Sequence, residues 1–430
     1  MTEINFNSNR HKNYRKNWNI YKNNPEFNKP DDKYIPLALG KEICHLYRDL
    51  SFKDNINAHI KEDTVANDAV DRIIYSNEFD SLLPEMAVTV AAKGGALLKN
   101  YLNNGVSEIS YIQPENYFPE FDPFNQRKLI RETIAFPVSN GNDNLLYREI
   151  YEKRDDGYYW CVTKMNVFNE NEIGDELESD EVNTFLTESP LTYIPFARHN
   201  GDFFGYSIFY GLEPLLEELN WRASQISNIL DKFSNPNVIG SQSLLDDDRT
   251  FTLSEGGVYI PVEDGEQKPE YLVWNANLQA NFDYIEQILF KVLHYISPLN
   301  PSLFGMDKAS QASARAVKLK SFRTQCVIEN SLIYWKQAVK KCLFLAQQLE
   351  NISGAYNYTP HIPNVEIYVS MPRDEFEQSQ EEQLKVASKV TSRKSAIARL
   401  NPHYTSAQVE EEFLNIMDET NEANVQTFMD

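Results

Sequence analysis

Apolar residues recur every three or four positions over two unusually long stretches of this chain. In 212–234, Leu212, Leu215, Leu216, Leu219, Ile226, Leu230 and Phe233 fall on one helical face, and Asn235-Pro236-Asn237 ends the pattern. In 278–296, Leu278, Phe282, Ile285, Leu289, Val292 and Ile296 follow a strict 4,3,4,3,4 spacing, the seam that one helix presents to another. Each predicts a rod of about twenty residues, against a mean of about 11–12 for globular helices. The seams match, so the rods are expected to pack antiparallel with the intervening segment at their far end. Pro298 and Pro301 end the second rod and Ser297–Ser310 reads as a loop. A third helical pattern starts at Ser310 or Ser313, either an acceptable N-cap, and reaches Glu350 without Pro or Gly.

Between the rods the period shortens. Val238–Gly240, Gly257–Pro261 and Glu270–Trp274 predict short strands. Upstream, Leu39, Ile43, Leu46 and Leu50 make one helical stripe and Ala66, Ala69, Val70, Ile73 and Ile74 a second. Ser81–Tyr101 predicts a third helix, with Gly94-Gly95 allowing close packing or a bend. From Val106 an alternating pattern predicts strands over Val106–Gln113, Glu132–Val138, Leu145–Glu152, Tyr158–Lys164 and Thr192–His199. Asn-Gly at Asn140 and Asp-Gly at Asp156 are turn signals. Residues 170–189 carry eight acids and no base, and read as an exposed loop. After Ser353-Gly354, Val365–Ser370 reads as a strand, and 373–390, Ser395–Leu400 and Ser406–Asp418 as helices. Thr405 with Gln408 forms a capping box for the last. The fold class is α+β.

Charge changes this picture in three places. The 430-residue chain has a formal net charge of −22, which argues against a protein that wraps nucleic acid, because phosphates call for a basic surface. The insert between the rods is acidic, with Asp246, Asp247, Asp248, Glu263 and Asp264 prominent. The third long helix is basic: Arg315, Lys318, Lys320, Arg323, Lys336, Lys340 and Lys341 face only Glu329 and Glu350. Residues 1–34, with Arg10, Lys12, Arg15 and Lys16 among Tyr14, Trp18 and Tyr21, read as a solvated arm that docks on a neighbouring subunit, ahead of a nucleic-acid arm.

The search for chemistry is negative. There is no GxxxxGK[ST] for nucleotide phosphates and no HExxH for zinc, and the histidines never pair at ligand spacing. Gly205-Tyr206-Ser207 looks like half a nucleophile elbow, but Phe209 stands where the second glycine is required. Cys44, Cys161, Cys326 and Cys342 have no CxxC spacing, and the last two lie about 24 Å apart along one helix, too far to bridge. Free thiols suit a reducing compartment. No apolar run is long enough for a membrane span. No catalytic residue, cofactor or metal site is assigned.

The order of segments resembles the portal proteins of tailed double-stranded DNA bacteriophages, over roughly residues 35 to 418. Four patterns carry it: Ile194-Pro195-Phe196 to Gly205-Tyr206-Ser207 before the first rod; Asn228 to Gly240; Ser313-Ala314-Arg315-Ala316-Val317-Lys318; and Ser395-Ala396-Ile397 through Gln408 and Glu411. The third departs from many relatives, which have Ser-Gly where this chain has Ser313-Ala314. The resemblance implies a homo-oligomeric, usually dodecameric, ring at one capsid vertex. This head-to-tail connector would admit and release the genome without being an enzyme. It further implies a wing from 35–211 and 313–390, stem helices at 212–235 and 277–296, a clip at 236–276, a tunnel loop at 297–312 and a crown at 391–430. Leu303, Phe304, Met306, Lys308 and Arg315 would then lie nearest the DNA, and the clip acids would face the docking proteins. Implied partners are other copies of the chain, the terminase large subunit, the head–tail adaptor, the major capsid and scaffolding proteins, and DNA passing through; no membrane is involved. The expected locations are the virion and, during assembly, the host cytoplasm. The competing readings are a monomeric or dimeric α+β enzyme acting on nucleic acid or glycan, and a coiled-coil interaction protein that forms no ring.

Overall fold

A computed structural model describes residues 4–23, 34–53, 56–61, 63–140, 143–169, 172–199, 201–234, 238–241, 259–262, 270–271, 278–291, 293, 321–370, 375–401, 404 and 408–417. The chain forms two compact units, one of residues 1–304 and 323–370, the other of 305–322 and 371–430.

The first unit opens with helix α1 (Asn9–Lys22), capped by the Ser8 hydroxyl. This differs from the expected solvated arm docked on a neighbouring subunit. His11, Tyr14 and Asn17 are buried, and Arg10 donates to the Tyr117 carbonyl at 2.8 Å, so the arm folds onto its own chain. The stripes predicted next are helices α2 (Leu39–Phe52) and, after strand β1 (Asn57–His59), α3 (Thr64–Ser76). Asp63 caps α3 by accepting from the Val65 and Ala66 amides.

Helix α4 (Phe79–Lys93) corrects the prediction of one helix to Tyr101. Gly94 takes φ +90° as its left-handed C-cap, and strand β2 (Gly95–Asn103) follows at once. Met86, Ala87, Val90, Ala91 and Ala92 of α4 and Ala96, Leu97 and Leu98 of β2 are wholly buried. A segment apolar on every side shows no single period, which is why the two read as one helix.

β2 is the middle of a three-stranded antiparallel sheet, between β3 (Val106–Ile112) and a later strand, Leu191–Pro195. Beside it runs an antiparallel meander: β4 (Tyr117–Asp122), β5 (Asn125–Asn140), β6 (Asp143–Lys153), β7 (Tyr159–Asn169) and β8 (Glu172–Asn183). Gly157, at φ +83°, makes the predicted turn between β6 and β7. β8 replaces the loop expected over 170–189. It is an edge strand with almost every residue exposed, so it needs only ladder bonds to β7 and no buried face to mark it in sequence. The strand closing the three-stranded sheet is β9 (Leu191–Pro195). Leu97, Ile112, Tyr117, Ile134, Tyr151 and Leu191 form a core shared by both sheets. Buried ionic groups join them too: Lys99 of β2 meets Glu149 of β6 at 2.6 Å, and Tyr147 and Tyr151 also donate to that carboxylate. A charge buried this way is tolerated because its acceptors are satisfied.

Next comes α5 (Glu213–Ser234), the first predicted rod. Three short strands, β10 (Val238–Ser241), β11 (Tyr259–Val262) and β12 (Glu270–Tyr271), form a sheet ordered β11-β10-β12, parallel on one side and antiparallel on the other. The second rod is interrupted. α6 (Leu278–Asp283) passes into a π-helical stretch, Tyr284–Phe290. A π turn bonds i to i+5 and rotates whatever follows it, so a 4,3 stripe cannot stay on one face. The rods do pack on each other, with the Arg222 guanidinium 5.3 Å from the Tyr284 ring centre.

Helix α7 (Phe322–Ile352) is the described part of the long basic helix; 301–320 lie outside the described residues. Trp335, at 0 % exposure, donates from Nε1 to the Tyr47 hydroxyl at 3.0 Å, leaving that hydroxyl to donate to Ser331 at 2.7 Å. Burial pushes the Tyr47 phenol up to about 12. Two of the helix's bases engage their own chain. Lys341 donates to the Leu191 carbonyl at 3.1 Å and Lys336 lies 5.5 Å from the Tyr368 ring. Glu350 accepts from Arg72 at 2.8 Å and from the Tyr358 hydroxyl at 2.6 Å. The strand predicted at Val365–Ser370 is shorter, β13 (Asn364–Glu366), and pairs antiparallel with β1.

In the second unit, α8 (Glu375–Ala387) packs on α9 (Arg393–Leu400), and Arg399 grips Glu382 with bonds of 3.0 and 2.7 Å. That grip holds the Glu382 carboxyl below its ordinary range. Helix α10 (408–417) follows; its predicted capping residue Thr405 lies outside the described residues.

Candidate functional site

The first rod is built on a backbone-to-backbone joint. Gly205 of the Gly205-Tyr206-Ser207 pattern lies directly against Gly94, and a Cβ on Gly94 would stand 2.7 Å from the Gly205 carbonyl oxygen. Neither position has room for a side chain. Phe196 donates from its amide to the Gly94 carbonyl at 3.0 Å, and Tyr206 to that of Ala197 at 2.9 Å. The buried Ser207 hydroxyl donates to the Ala92 carbonyl at 2.7 Å, a free acceptor of the last turn of α4, and itself accepts from the Phe209 amide at 3.0 Å. Ser207 is therefore a structural clamp, and the half-elbow that its sequence suggested is buried against a helix end.

From this joint the rod rises with falling burial. Leu212, Leu216 and Leu219 are at most 4 % exposed, whereas Leu230 is 49 % exposed. An extended segment braces the lower half. The Ile35 amide donates to the Ser224 hydroxyl at 2.9 Å and the Leu37 amide to Asn220 at 3.0 Å. On the second rod, Leu278 begins α6, Phe282 is 47 % exposed, Ile285 is half-buried in the π stretch and Leu289 is buried. Val292 lies outside the described residues. The predicted seam is thus split, with Leu289 and Leu293 buried and Phe282 facing out. The acids Asp246, Asp247, Asp248, Glu263 and Asp264, and the loop residues Leu303, Phe304, Met306, Lys308 and Arg315, also lie outside the described residues.

Beside the rod's base is an open cleft of about 1530 Å³ between α1, the end of β4 and the 199–213 segment. Its lining includes Arg10, Lys16 and Lys93 with Phe121, Phe204 and Tyr210. Arg10 stacks 4.1 Å over the Phe204 ring. Lys93 pairs with Glu115, donates to Gln113 at 2.8 Å and lies 4.6 Å from the Trp18 ring. Burial holds its ammonium below the ordinary lysine range, against the pull of Glu115. No sequence pattern marks this cleft, because its walls come from segments about 100 residues apart.

Among the described residues no constellation here resembles a catalytic one. Among the described residues no group of three or more His, Cys, Asp or Glu side chains converges on a point that would hold a metal. Cys44 and Cys342 are buried, and burial pushes the Cys342 thiol up to about 12, which keeps it inert. Cys161 and Cys326 are half-buried.

A long helix clamped at its base onto a large α+β body packs against a second helix, and a small three-stranded sheet lies between the two in the chain. The chain belongs to the phage portal proteins of the SPP1 Gp6-like family, whose model matches residues 3–426. That family is structural and not enzymatic, so the enzyme alternative falls away. No curated protein sequence matches the chain. Among solved structures it is similar to a chain in the neck of a native gene transfer agent (GTA) particle computed with C12 symmetry. The TM-score is 0.51 at 11 % identity, covering 84 % of this chain and 89 % of that one. A chain in the virion of a native GTA particle gives 0.50 at 11 % identity, covering 90 % and 93 %. One in the neck of an empty particle, computed with C6 symmetry, gives 0.51 at 11 % identity with the same coverage. At such identity these likenesses show the shared fold.

Proposed function

We propose that the chain assembles into a closed homo-oligomeric ring at one vertex of a capsid, the conduit through which double-stranded DNA is packaged and later released. The family match over residues 3–426 carries this reading. A twelve-subunit ring is the expected state, by likeness to the neck computed with C12 symmetry. The half-buried rods support it: a helix face that stays exposed in one subunit is available to the next subunit around a rotation axis. In this reading α5 and α6 with its π stretch are the stem, and β10, β11 and β12 belong to the clip. Residues 35–211 and 313–390, the latter including α7, are the wing, and 391–430 is the crown. The residues 297–312 form the tunnel loop, with Leu303, Phe304 and Met306 as an apolar collar and Lys308 and Arg315 near the phosphates. The clip acids Asp246, Asp247, Asp248, Glu263 and Asp264 face the terminase large subunit and then the head–tail adaptor, whose surfaces should be locally basic. Capsid and scaffolding proteins hold the ring in the virion, after assembly in the host cytoplasm. A net charge of −22 suits DNA that slides past without being gripped.

The test is negative-stain microscopy with native mass, on the chain alone and co-expressed with its capsid protein. Rings with a central channel are expected. A discrete monomer or dimer under both conditions would overturn the reading.

A further inference from the structure

The five-stranded sheet ends in two surfaces of opposite charge. At one edge is β8, whose residues Glu172, Asp175, Glu176, Glu178, Asp180 and Glu181 make six acids with no base. Glu176 is taken by Lys164 and Glu181 by Arg154. Among the described residues Glu172, Asp175 and Glu178 have no ion-pair partner. Apolar residues of the same strand are exposed as well, Leu177 at 54 % and Val182 at 55 %. The outer side of β8 pairs with no strand among the described residues. Such an edge is a template for association unless something covers it.

At the other edge is β4, and α1 stands against that end of the sheet. Arg10 bonds the Tyr117 carbonyl and the His11 ring stacks on Phe118 at 5.2 Å. α1 carries five lysines and arginines and no acid. Lys12 and Arg15 are exposed, and Lys16 lines the cleft. Lys12 and Lys16 have no ion-pair partner among the described residues. The cleft beside them also presents apolar surface, with Tyr210 65 % exposed. Strands about 4.8 Å apart put β8 roughly 19 Å from β4, so the two surfaces of one subunit face away from each other across the sheet.

We propose that β8 of one subunit seats along the basic face of α1, at the mouth of the cleft, of the next copy of this chain. A ring requires a heterologous contact, in which two different patches on one subunit meet their complements on its two neighbours. The opposite edges of this sheet supply such a pair, matched in charge and in apolar character. A symmetric dimer through either patch would set acid against acid or base against base, which disfavours it. The proposal rests on the ring reading above and names the surfaces that close it.

The test is a charge swap, read by native mass and negative stain. Lys12→Glu with Lys16→Glu reverses one side, and Asp175→Lys with Glu178→Lys reverses the other. Lys12, Asp175 and Glu178 are exposed and Lys16 is half-buried at the open cleft, so each pair should leave the subunit's circular dichroism unchanged. Each pair alone should lower the ring fraction by about tenfold or more, because like charges then face each other. Combining all four changes should restore it. Wild-type rings that survive both reversals, or a loss that the combination fails to rescue, would overturn this contact and leave the ring reading standing. A wild-type chain that forms no ring overturns both. Loss of binding to a random-sequence DNA duplex in Lys12→Glu/Lys16→Glu, with rings intact, would assign the α1 face to nucleic acid and overturn the proposal.

Discussion

The two long helices of the first unit use their apolar residues in opposite ways. α7 buries fourteen residues, from Thr324 to Glu350, within its own subunit. α5 buries Leu212, Leu216, Leu219 and Ser224 near its base and leaves Trp221 39 % and Leu230 49 % exposed. One helix is buried within its own subunit along most of its length, although Phe322 and Ile333 stay exposed. The other is clamped at one end, and its free end has a face that a single subunit leaves uncovered. The difference separates what stabilises the subunit from what is available for assembly.

The largest effect should come from α7. Trp335→Ala removes a wholly buried indole, its bond to Tyr47 and its edge contact with Phe52 at 4.8 Å. Subunit stability in urea should fall by about 3–5 kcal/mol. A loss no larger than that of a surface substitution would mean that α7 is not part of the core. The clamp should be nearly as sensitive. Gly94→Ala forces φ +90° on an L side chain and drives its Cβ to 2.7 Å from the Gly205 carbonyl. A loss of about 2 kcal/mol or more is expected in the same measurement. A neutral result would show that the rod's base is not held at this joint.

These sites differ in how far the sequence revealed them. The rods were legible because a helical period survives along Leu212 to Leu230, whatever covers it. The π stretch was not, since Tyr284–Phe290 keeps an apolar composition and only its hydrogen-bond pattern changes. Gly94-Gly95 was legible as a break but not as a helix-to-strand junction, because the surrounding residues are apolar on every side. β8 was hidden for the opposite reason: an edge strand with no buried face shows no alternation. α1 was hidden because polar and charged groups anchor it, Arg10 on a carbonyl and His11 between Ser8 and Glu115. Of the proposed stem seam, Phe282, Ile285 and Leu289 can be placed by burial, and they do not share one environment.

The α1 anchor gives a smaller, pH-dependent effect. The Glu115 carbonyl can only accept, so His11 donates to it from Nε2 at 2.8 Å, and neutral Nδ1 accepts from the Ser8 hydroxyl at 2.7 Å. Burial holds the imidazole below its ordinary value of 6.5, against the pull of the Glu115 carbonyl. As pH falls through that value the unfolded chain takes up a proton before the folded chain does. This contribution is therefore complete above the unfolded value and declines as pH falls toward the lower folded one. Urea midpoints measured at about pH 7.5 and 5.5 should differ less in His11→Gln than in the wild type. The slope should shrink without vanishing, because burial lowers His45 as well. An unchanged slope would remove His11 from this role.

The smallest effect on the subunit should be the most informative about the comparison. Leu230→Asp places a charge on a side chain that is 49 % exposed. Water still reaches that position in the single subunit, so subunit stability should change by no more than about 0.5 kcal/mol. In a ring the same position would be covered by a neighbour, and an unpaired carboxylate there would lose its hydration without gaining a partner. Ring formation should then fail at concentrations where the wild type assembles, with the urea curve of the subunit unmoved. Leu289→Asp serves as the contrast: Leu289 is buried within its own subunit, so the charge should lower both subunit stability and assembly. If Leu230→Asp also unfolds the subunit, the free end of α5 belongs to the core after all. If rings form normally, that face is not where neighbouring subunits meet.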